Sequence, residues 1–425
     1  MAISSLKARL VDKLKSGSIR HIGLYTSGTL VSKGISFIAL PFFTFYISEA
    51  GFGILALITN SVLLLNTFIL FSTNITLNTE YFKKDKQSYN NLFTSLFTYV
   101  SGTTILSALI IAIFFHPLQR LFGFQWYYIF LLPFLTFLNF FSEQLNNYLR
   151  LRHESITFFI SNTLKAIIEV SLALGLLYIF RNDYYARIIS ITVSSLLFGT
   201  YAAYYFFIKM KLWGKFEIKT VINEVPFGAS FMIMQVANFL MSSSDKFFVK
   251  YFYTNELTGI YNIASTLAGV LYIFSSAVIS YLLPNIYKSF AEDSGNKLII
   301  VKGYFAKYII GMGMASLLIF LAGTIVYFFL IKKTYLHGYE SFCLLLVGNF
   351  FYATSLFFYP ILWYYRAKRK LVTLATISII SSLLLYYLLT KYYSINGAAL
   401  ALLISYFLQS ILINRITIRL LKTAV

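Results

Sequence analysis

Apolar stretches of about twenty residues follow one another along this chain, and they constrain its fold more than any other feature. A stretch of that length crosses the hydrocarbon core as an α-helix, whereas the strands of a membrane barrel are about half as long and alternate. The sequence therefore predicts an all-α polytopic membrane protein with about twelve transmembrane helices. The predicted spans lie near 22–47, 51–74, 92–115, 125–149, 156–180, 187–208, 226–246, 258–283, 305–331, 340–364, 371–391 and 395–418.

Composition excludes an ordinary soluble protein. The chain is 58% hydrophobic and 12% charged, whereas soluble domains carry about 25% charged residues. A net charge of +20 would indicate a nucleic-acid partner in a soluble protein, but in a membrane protein it indicates basic cytoplasmic loops. We predict no nucleic-acid partner. The single cysteine, Cys343, and four scattered histidines predict neither a disulfide framework, a metal site nor a cofactor.

The lysines and arginines are distributed unevenly between the two sides of the predicted membrane. If the N-terminus is cytoplasmic, most of the 35 basic residues fall at the cytoplasmic ends of the spans. This bias predicts that both termini are cytoplasmic. Before the first span, one helical face would carry Ile3, Leu6, Leu10 and Leu14. That pattern predicts a helix on the inner membrane surface, and a frayed basic tail is the alternative.

A weak internal repeat predicts two lobes. Aligning YISEAGFGILALI, from Tyr46, with FYTNELTGIYNIA, from Phe252, superimposes Gly53 on Gly259. The offset is about half the chain, or six spans, and an even number of spans preserves the orientation of a repeat. We predict an N-terminal lobe over 1–210 and a C-terminal lobe over 211–425, each of six helices, around a central cavity.

Polar stripes inside the spans predict the lining of that cavity. An ionisable residue at the centre of a membrane helix costs about 2.5–3.5 kcal/mol, so it should face water, a partner or a substrate. Gln235, Asn238 and Asp245 share one face of the seventh span, and Lys33 lies in the middle of the first. Because Lys33 has no acidic neighbour one helical turn away, we predict that it faces the lumen.

Other polar positions allow two interpretations. Lys165 and Glu169 are four residues apart, so they could form a structural ion pair or belong to the lumen. Glu143 lies within two turns of the cytoplasmic end and could instead reach the headgroups. Small and polar stripes, such as that of the eighth span, are more often helix-packing devices. Mid-span tyrosines such as Tyr352 could stack on sugar rings, although packing is the commoner role.

Three segments resemble a known family. DKFFVKYFYTNELTGIYNIASTLAG, LPNIYKSF and ISEAGFGILALI are similar to Wzx-type O-antigen and polysaccharide flippases of the multidrug/oligosaccharidyl-lipid/polysaccharide exporter superfamily. The matching positions are Asp245-Lys246 and Gly259-Ile260-Tyr261. The resemblance implies a bacterial inner-membrane protein of polysaccharide, including lipopolysaccharide, biosynthesis. It would move undecaprenyl-diphosphate-linked oligosaccharides from the cytoplasmic to the periplasmic leaflet by alternating access, coupled to a cation gradient.

The site prediction follows from the chemistry of such a substrate. A diphosphate headgroup would face a cost of tens of kcal/mol in hydrocarbon on the Born estimate, and cationic and amide side chains can replace its hydration. The predicted substrate-binding residues are Lys33, Lys165, Lys246, Asn238, Gln235 and Asn74. The predicted ion-coupling carboxylates are Asp245, Glu169 and Glu143. Expected partners are the lipid-linked oligosaccharide and membrane lipids, with a polysaccharide polymerase and a chain-length regulator as further candidates.

Three other functions compete with this one. A cation-coupled drug exporter of the same superfamily would favour an acidic lumen. A membrane-embedded polymerase or acyltransferase acts at one membrane face, and polymerases usually carry a large periplasmic loop, which this chain lacks. A scaffold protein would not explain ionisable groups inside the spans. The sequence also lacks a nucleotide-binding fingerprint, and we predict that the protein is not an enzyme.

Overall fold

A computed structural model describes residues 17–71, 73–123, 125–181, 183–291, 297–365 and 367–423. The predicted surface helix before the first span lies outside the described residues. Within them, every regular element is helical. The α-helices are α1 (Gly17–Tyr46), α2 (Glu49–Leu70), α3 (Thr73–Glu80), α4 (Lys86–Ile113), α5 (Phe115–Phe122), α6 (Tyr128–Leu151), α7 (Ser155–Phe180), α8 (Tyr184–Tyr204), α9 (Ile218–Ser242), α10 (Asp245–Phe252), α11 (Asn255–Ala268), α12 (Val270–Ala291), α13 (Lys297–Ile325), α14 (Tyr339–Tyr364) and α15 (Lys368–Thr423).

Ten helical stretches among the described residues are long and apolar enough to cross a membrane. One of them covers most of α15, which is 56 residues long, well over twice the roughly 20 residues that cross a bilayer. Tyr393 and Ser394 leave the helical conformation, and Ser394 has a φ of 52°, so α15 contains both of the last two predicted spans. The predicted seventh span falls on α9 and the start of α10. The predicted fold class, a polytopic all-α membrane protein, is confirmed.

The chain forms two compact units. The first comprises Met1–Tyr46 and Ser61–Ile233, and the second comprises Ile47–Asn60 and Met234–Val425. The division therefore runs through α2, whose first half belongs with the C-terminal helices. The lobe boundary between 210 and 211 stays a prediction.

An aromatic core holds the first unit together. Phe93 of α4 packs against Phe206, with ring centroids 5.2 Å apart, and Tyr148 of α6 lies edge-on to Phe206 at 5.7 Å. All three side chains are buried. Asp85 begins α4 by accepting hydrogen bonds from the backbone amides of Gln87 and Ser88. Hydrogen bonds from Ser88 also lower the pKa of the exposed Asp85 carboxyl.

The segment after α8 is fixed to the start of α4. Three of its backbone amides donate to side chains of that helix: Gly214 N to Thr94 Oγ1 (2.9 Å), Lys215 N to Asn91 Oδ1 (2.8 Å) and Glu217 N to Ser95 Oγ (2.9 Å). A side chain at Gly214 would collide with the backbone of Asn90. The connection towards α9 is therefore held by the first unit through paired backbone groups.

In the second unit, two glycines let α2 and α11 touch. A Cβ on Gly259 would lie 1.9 Å from the carbonyl oxygen of Glu49 and 2.8 Å from the nitrogen of Gly53. A Cβ on Gly53 would lie 2.0 Å from the carbonyl oxygen of Asn255. These are the two glycines that the internal repeat superimposes. Small residues at such crossings allow backbones to approach closely in membrane proteins.

Gly259→Ala is therefore expected to lower the stability of the protein. The new methyl group would meet helix backbone, which cannot move away as a flexible side chain can, and overpacking of this kind costs about 1–3 kcal/mol. The measurement is the melting temperature of the purified protein in detergent. Gly313→Ala is the control, because a Cβ there meets nothing within 4 Å. Equal melting temperatures for both variants would contradict the close crossing.

Candidate functional site

Helices α1 and α7 pack along each other. This packing brings the predicted substrate-binding residues Lys33 and Lys165 to similar positions along the two helix axes. The ring of Tyr25 lies edge-on to that of Phe158, with centroids 5.2 Å apart. One turn further on, a Cβ on Gly28 would lie 3.1 Å from the Cα of Phe159. Lys33 and Lys165 follow five and six residues after this contact, which is about 8–9 Å along either helix.

Lys33, Arg150 and Lys165 form the candidate cationic site of the first unit. Lys33 and Arg150 are exposed and Lys165 is half-buried. The guanidinium of Arg150 lies over the Phe158 ring, 4.9 Å from its centroid. Among the residues that the structure describes, none of the three cations forms an ion pair with a carboxylate. Arg150 is not among the predicted substrate-binding residues, because its contact with the α7 side chain Phe158 arises from tertiary packing.

The carboxylates near these cations bind other partners. Glu143 and Glu169 act electrostatically on Arg150 and Lys165 respectively. However, Glu143 Oε1 accepts a hydrogen bond from the amide of Asn74 at 2.7 Å. The predicted substrate-binding residue Asn74 and the predicted coupling residue Glu143 are thus in direct contact.

Glu169 pairs with Arg187 of α8 rather than with Lys165. Glu169 Oε1 lies 2.9 Å from Arg187 Nη2, and the guanidinium also lies over the ring of Phe43, 4.8 Å from its centroid. The possible Lys165–Glu169 ion pair is therefore wrong. Spacing within one helix could not reveal this partner, because it comes from the next helix. With Glu169 paired to Arg187, Lys165 forms no ion pair among the described residues.

A double-mutant cycle should show coupling of Glu169 to Arg187 and not to Lys165. We expect an interaction energy of about 1 kcal/mol or more between Glu169→Gln and Arg187→Gln, which is typical of partly buried residues in direct contact. The cycle with Lys165→Gln should give a value near zero. Thermal unfolding of the purified protein in detergent measures both. The opposite ranking would restore the pairing expected from the sequence.

Asp245 and Lys246 form a buried ion pair in the second unit. Asp245 is fully buried and Lys246 is 6% exposed, with Lys246 Nζ 3.3 Å from Asp245 Oδ1. The hydroxyl of Tyr261 donates to Asp245 Oδ2 at 2.8 Å. The sequence predicted separate roles for Asp245 and Lys246, as coupling and substrate-binding residues. The sequence did not identify Tyr261 as their partner, although it belongs to the matching Gly-Ile-Tyr motif.

The remaining predicted residues, Gln235 and Asn238, lie exposed on α9. Asn238 Oδ1 accepts a hydrogen bond from the Tyr352 hydroxyl at 3.0 Å. Tyr386, another tyrosine in the middle of a predicted span, is buried and donates a hydrogen bond to the carbonyl oxygen of Met241 at 2.6 Å. It therefore has a packing role. No group of three or more His, Cys, Asp and Glu side chains suited to a metal occurs among the described residues.

Comparison with known proteins identifies the family. The model of the family described as "Polysaccharide biosynthesis protein" matches residues 18–290, which include α1, α7 and the Asp245–Tyr261 cluster. This chain belongs to the polysaccharide biosynthesis protein family. No curated protein matches this family member.

Solved transporter structures share the fold of this polysaccharide biosynthesis protein. The lipid II flippase MurJ in an inward closed conformation matches with a TM-score of 0.70 and 16% identity, over 92% of this chain and 86% of that chain. An inward-facing multidrug resistance MATE transporter of the MOP superfamily matches with a TM-score of 0.65 and 13% identity, over 95% of this chain and 96% of that chain. A Vibrio cholerae MATE transporter matches with a TM-score of 0.65 and 11% identity, over 97% of this chain and 98% of that chain. The resemblance drawn from the sequence motifs is confirmed at the level of family and fold.

Proposed function

We propose that this protein translocates undecaprenyl-diphosphate-linked oligosaccharides from the cytoplasmic to the periplasmic leaflet of a bacterial inner membrane. The observation that carries the proposal is a set of three cations in the first unit that form no ion pair with a described carboxylate: Lys33 and Lys165 within membrane-spanning helices, and Arg150 near the cytoplasmic end of α6. A cation without a carboxylate partner is costly there, so an anionic ligand is its best explanation.

A lipid-linked sugar diphosphate supplies the missing negative charge. Lysine offers a compact charge to phosphate oxygens, and the Arg150 guanidinium can donate two parallel hydrogen bonds. The isoprenoid tail can remain in the lipid phase while the headgroup crosses. A cationic drug would be repelled by the same three side chains, which disfavours drug export.

Coupling to a cation gradient is part of the proposal. One charge that crosses 100 mV gains about 2.3 kcal/mol. Of the three candidate carboxylates, Asp245 and Glu169 are already neutralised by Lys246 and Arg187. Glu143 is bound by the neutral amide of Asn74, so it is the one best placed to exchange a proton or a metal cation.

The proposal also places both termini in the cytoplasm and the protein upstream of a polymerase and its chain-length regulator.

In the producing bacterium, deletion of the gene is expected to remove surface polysaccharide. Lipid-linked repeat units should then accumulate in a form that an impermeant sugar-modifying reagent cannot reach from outside. A polymerase deletion would instead leave single units at the surface, and an acyltransferase deletion would leave unacylated polysaccharide. Either of these two results would overturn the proposal.

A further inference from the structure

The second unit exposes a face of uncharged polar side chains that the cationic site does not explain. Its members are the exposed amides Gln235 and Asn238 of α9, and Asn238 is hydrogen-bonded to Tyr352. Side-chain amides facing lipid tails would lose their hydrogen bonds to water without replacement. We therefore take this face to meet water or a polar ligand.

A stack of three tyrosines is anchored beside these amides. Tyr352 lies nearly parallel to buried Tyr406, with centroids 4.5 Å apart and an interplanar angle of 21°. On its other side lies Tyr272 of α12, at 5.9 Å and 25°. Tyr406 is 2% exposed, whereas Tyr272 is 42% exposed. The stack thus has one end fixed in the core and one ring open at the polar face.

Asn238 connects the stack to the amides of α9. Its side-chain oxygen accepts the Tyr352 hydroxyl proton, so its amide NH₂ remains available to donate. Gln235 lies one helical turn away on the same face and can both donate and accept. An open aromatic ring flanked by two primary amides is an arrangement that can bind a ring-shaped ligand with hydroxyl groups on its edge.

We propose that the Tyr272–Tyr352–Tyr406 stack, with Gln235 and Asn238, binds the saccharide part of the transported lipid. The C–H face of a pyranose ring is weakly positive and packs on the electron-rich face of tyrosine. The amides then bind its hydroxyl groups. This inference rests on the proposed function and adds to it a place in the second unit that recognises the sugar.

The charges around this face favour an uncharged ligand. The buried cation of the second unit, Lys246, is neutralised by Asp245, and the side chains of the polar face are uncharged. A diphosphate would find no counter-charge among them, whereas a saccharide requires none.

The test compares two lipids on the full-length protein in nanodiscs. The probes are undecaprenyl diphosphate, which lacks sugar, and lipid-linked oligosaccharide extracted from the producing bacterium. Tyr272→Ala should weaken binding of the oligosaccharide lipid about tenfold, the loss of one well-packed aromatic contact, and leave undecaprenyl diphosphate unaffected. Lys33→Ala should weaken both probes.

Tyr281→Ala is the matched control. Tyr281 is an exposed tyrosine of α12 that lies nine residues from Tyr272 and hence on the opposite side of the helix. The Tyr281→Ala protein should bind both lipids as tightly as the wild type does. An equal effect of Tyr272→Ala on the two probes, or no effect on either, overturns the saccharide site. Failure of the wild type to bind undecaprenyl diphosphate overturns the proposed function instead, and failure to bind the oligosaccharide lipid overturns both.

Discussion

Lys33→Ala is expected to abolish surface polysaccharide while the protein stays at its normal level in the membrane. Lys33 is exposed and makes no ion pair or hydrogen bond with the described residues, so its removal leaves no buried group unsatisfied. A charge-assisted hydrogen bond to phosphate contributes about 1.5–3 kcal/mol, which corresponds to about a ten- to hundredfold loss of binding. The measurements are surface polysaccharide and membrane protein level in a complemented deletion strain.

Two further variants separate charge from position. Lys33→Arg should retain export, because it keeps a cation and phosphate-binding donors at the same place. Lys307→Ala removes another exposed lysine, from α13 in the second unit, and should leave export unchanged. Wild-type polysaccharide from Lys33→Ala would remove this residue from the mechanism.

Asp245→Asn is expected to reduce the amount of folded protein sharply. The substitution keeps the shape of the side chain but leaves Lys246 as a buried cation without its counter-charge. Removing one partner of a buried ion pair costs about 3–5 kcal/mol, a large fraction of the stability of most proteins. The measurement is the yield of monodisperse protein after detergent extraction, together with its melting temperature.

The double variant Asp245→Asn/Lys246→Met decides what the pair does. Replacing both charges by neutral groups of similar size is often neutral or stabilising, so we expect the melting temperature to recover. If transport recovers with it, Asp245 acts in the structure and the coupling carboxylate lies elsewhere, with Glu143 the first alternative. Normal stability of the single Asp245→Asn variant would be inconsistent with the buried pair.

Hydropathy predicted the membrane-spanning helices well because the bilayer leaves few alternatives. Every backbone polar group in hydrocarbon must be paired within the protein, so apolar stretches of this length become helices. The weak internal repeat also identified two structurally important positions. Gly53 and Gly259, which the sequence alignment superimposes, meet at one helix crossing. The turn at Tyr393 and Ser394 also agrees with hydropathy, because it separates the last two predicted spans within α15.

The partners of the polar side chains could not be predicted in the same way. Glu169 binds Arg187 across a helix pair, and the contact of Tyr261 with Asp245 crosses between helices as well. Periodicity shows which face of a helix is polar, but the identity of the neighbouring helix is set by tertiary packing. The tyrosine stack illustrates the same limit, because α12, α14 and α15 each contribute one ring.

Transport by the purified protein tests the central proposal most directly. Full-length protein is reconstituted into vesicles that contain fluorescent undecaprenyl-diphosphate-linked oligosaccharide in both leaflets and carry a cation gradient, and an impermeant reductant quenches the label in the outer leaflet. With wild-type protein we expect quenching to proceed beyond about half of the signal as lipid crosses from the inner leaflet, and with Lys33→Ala we expect it to stop there. Quenching by the wild type that stops at the level of protein-free vesicles would contradict translocation of this lipid.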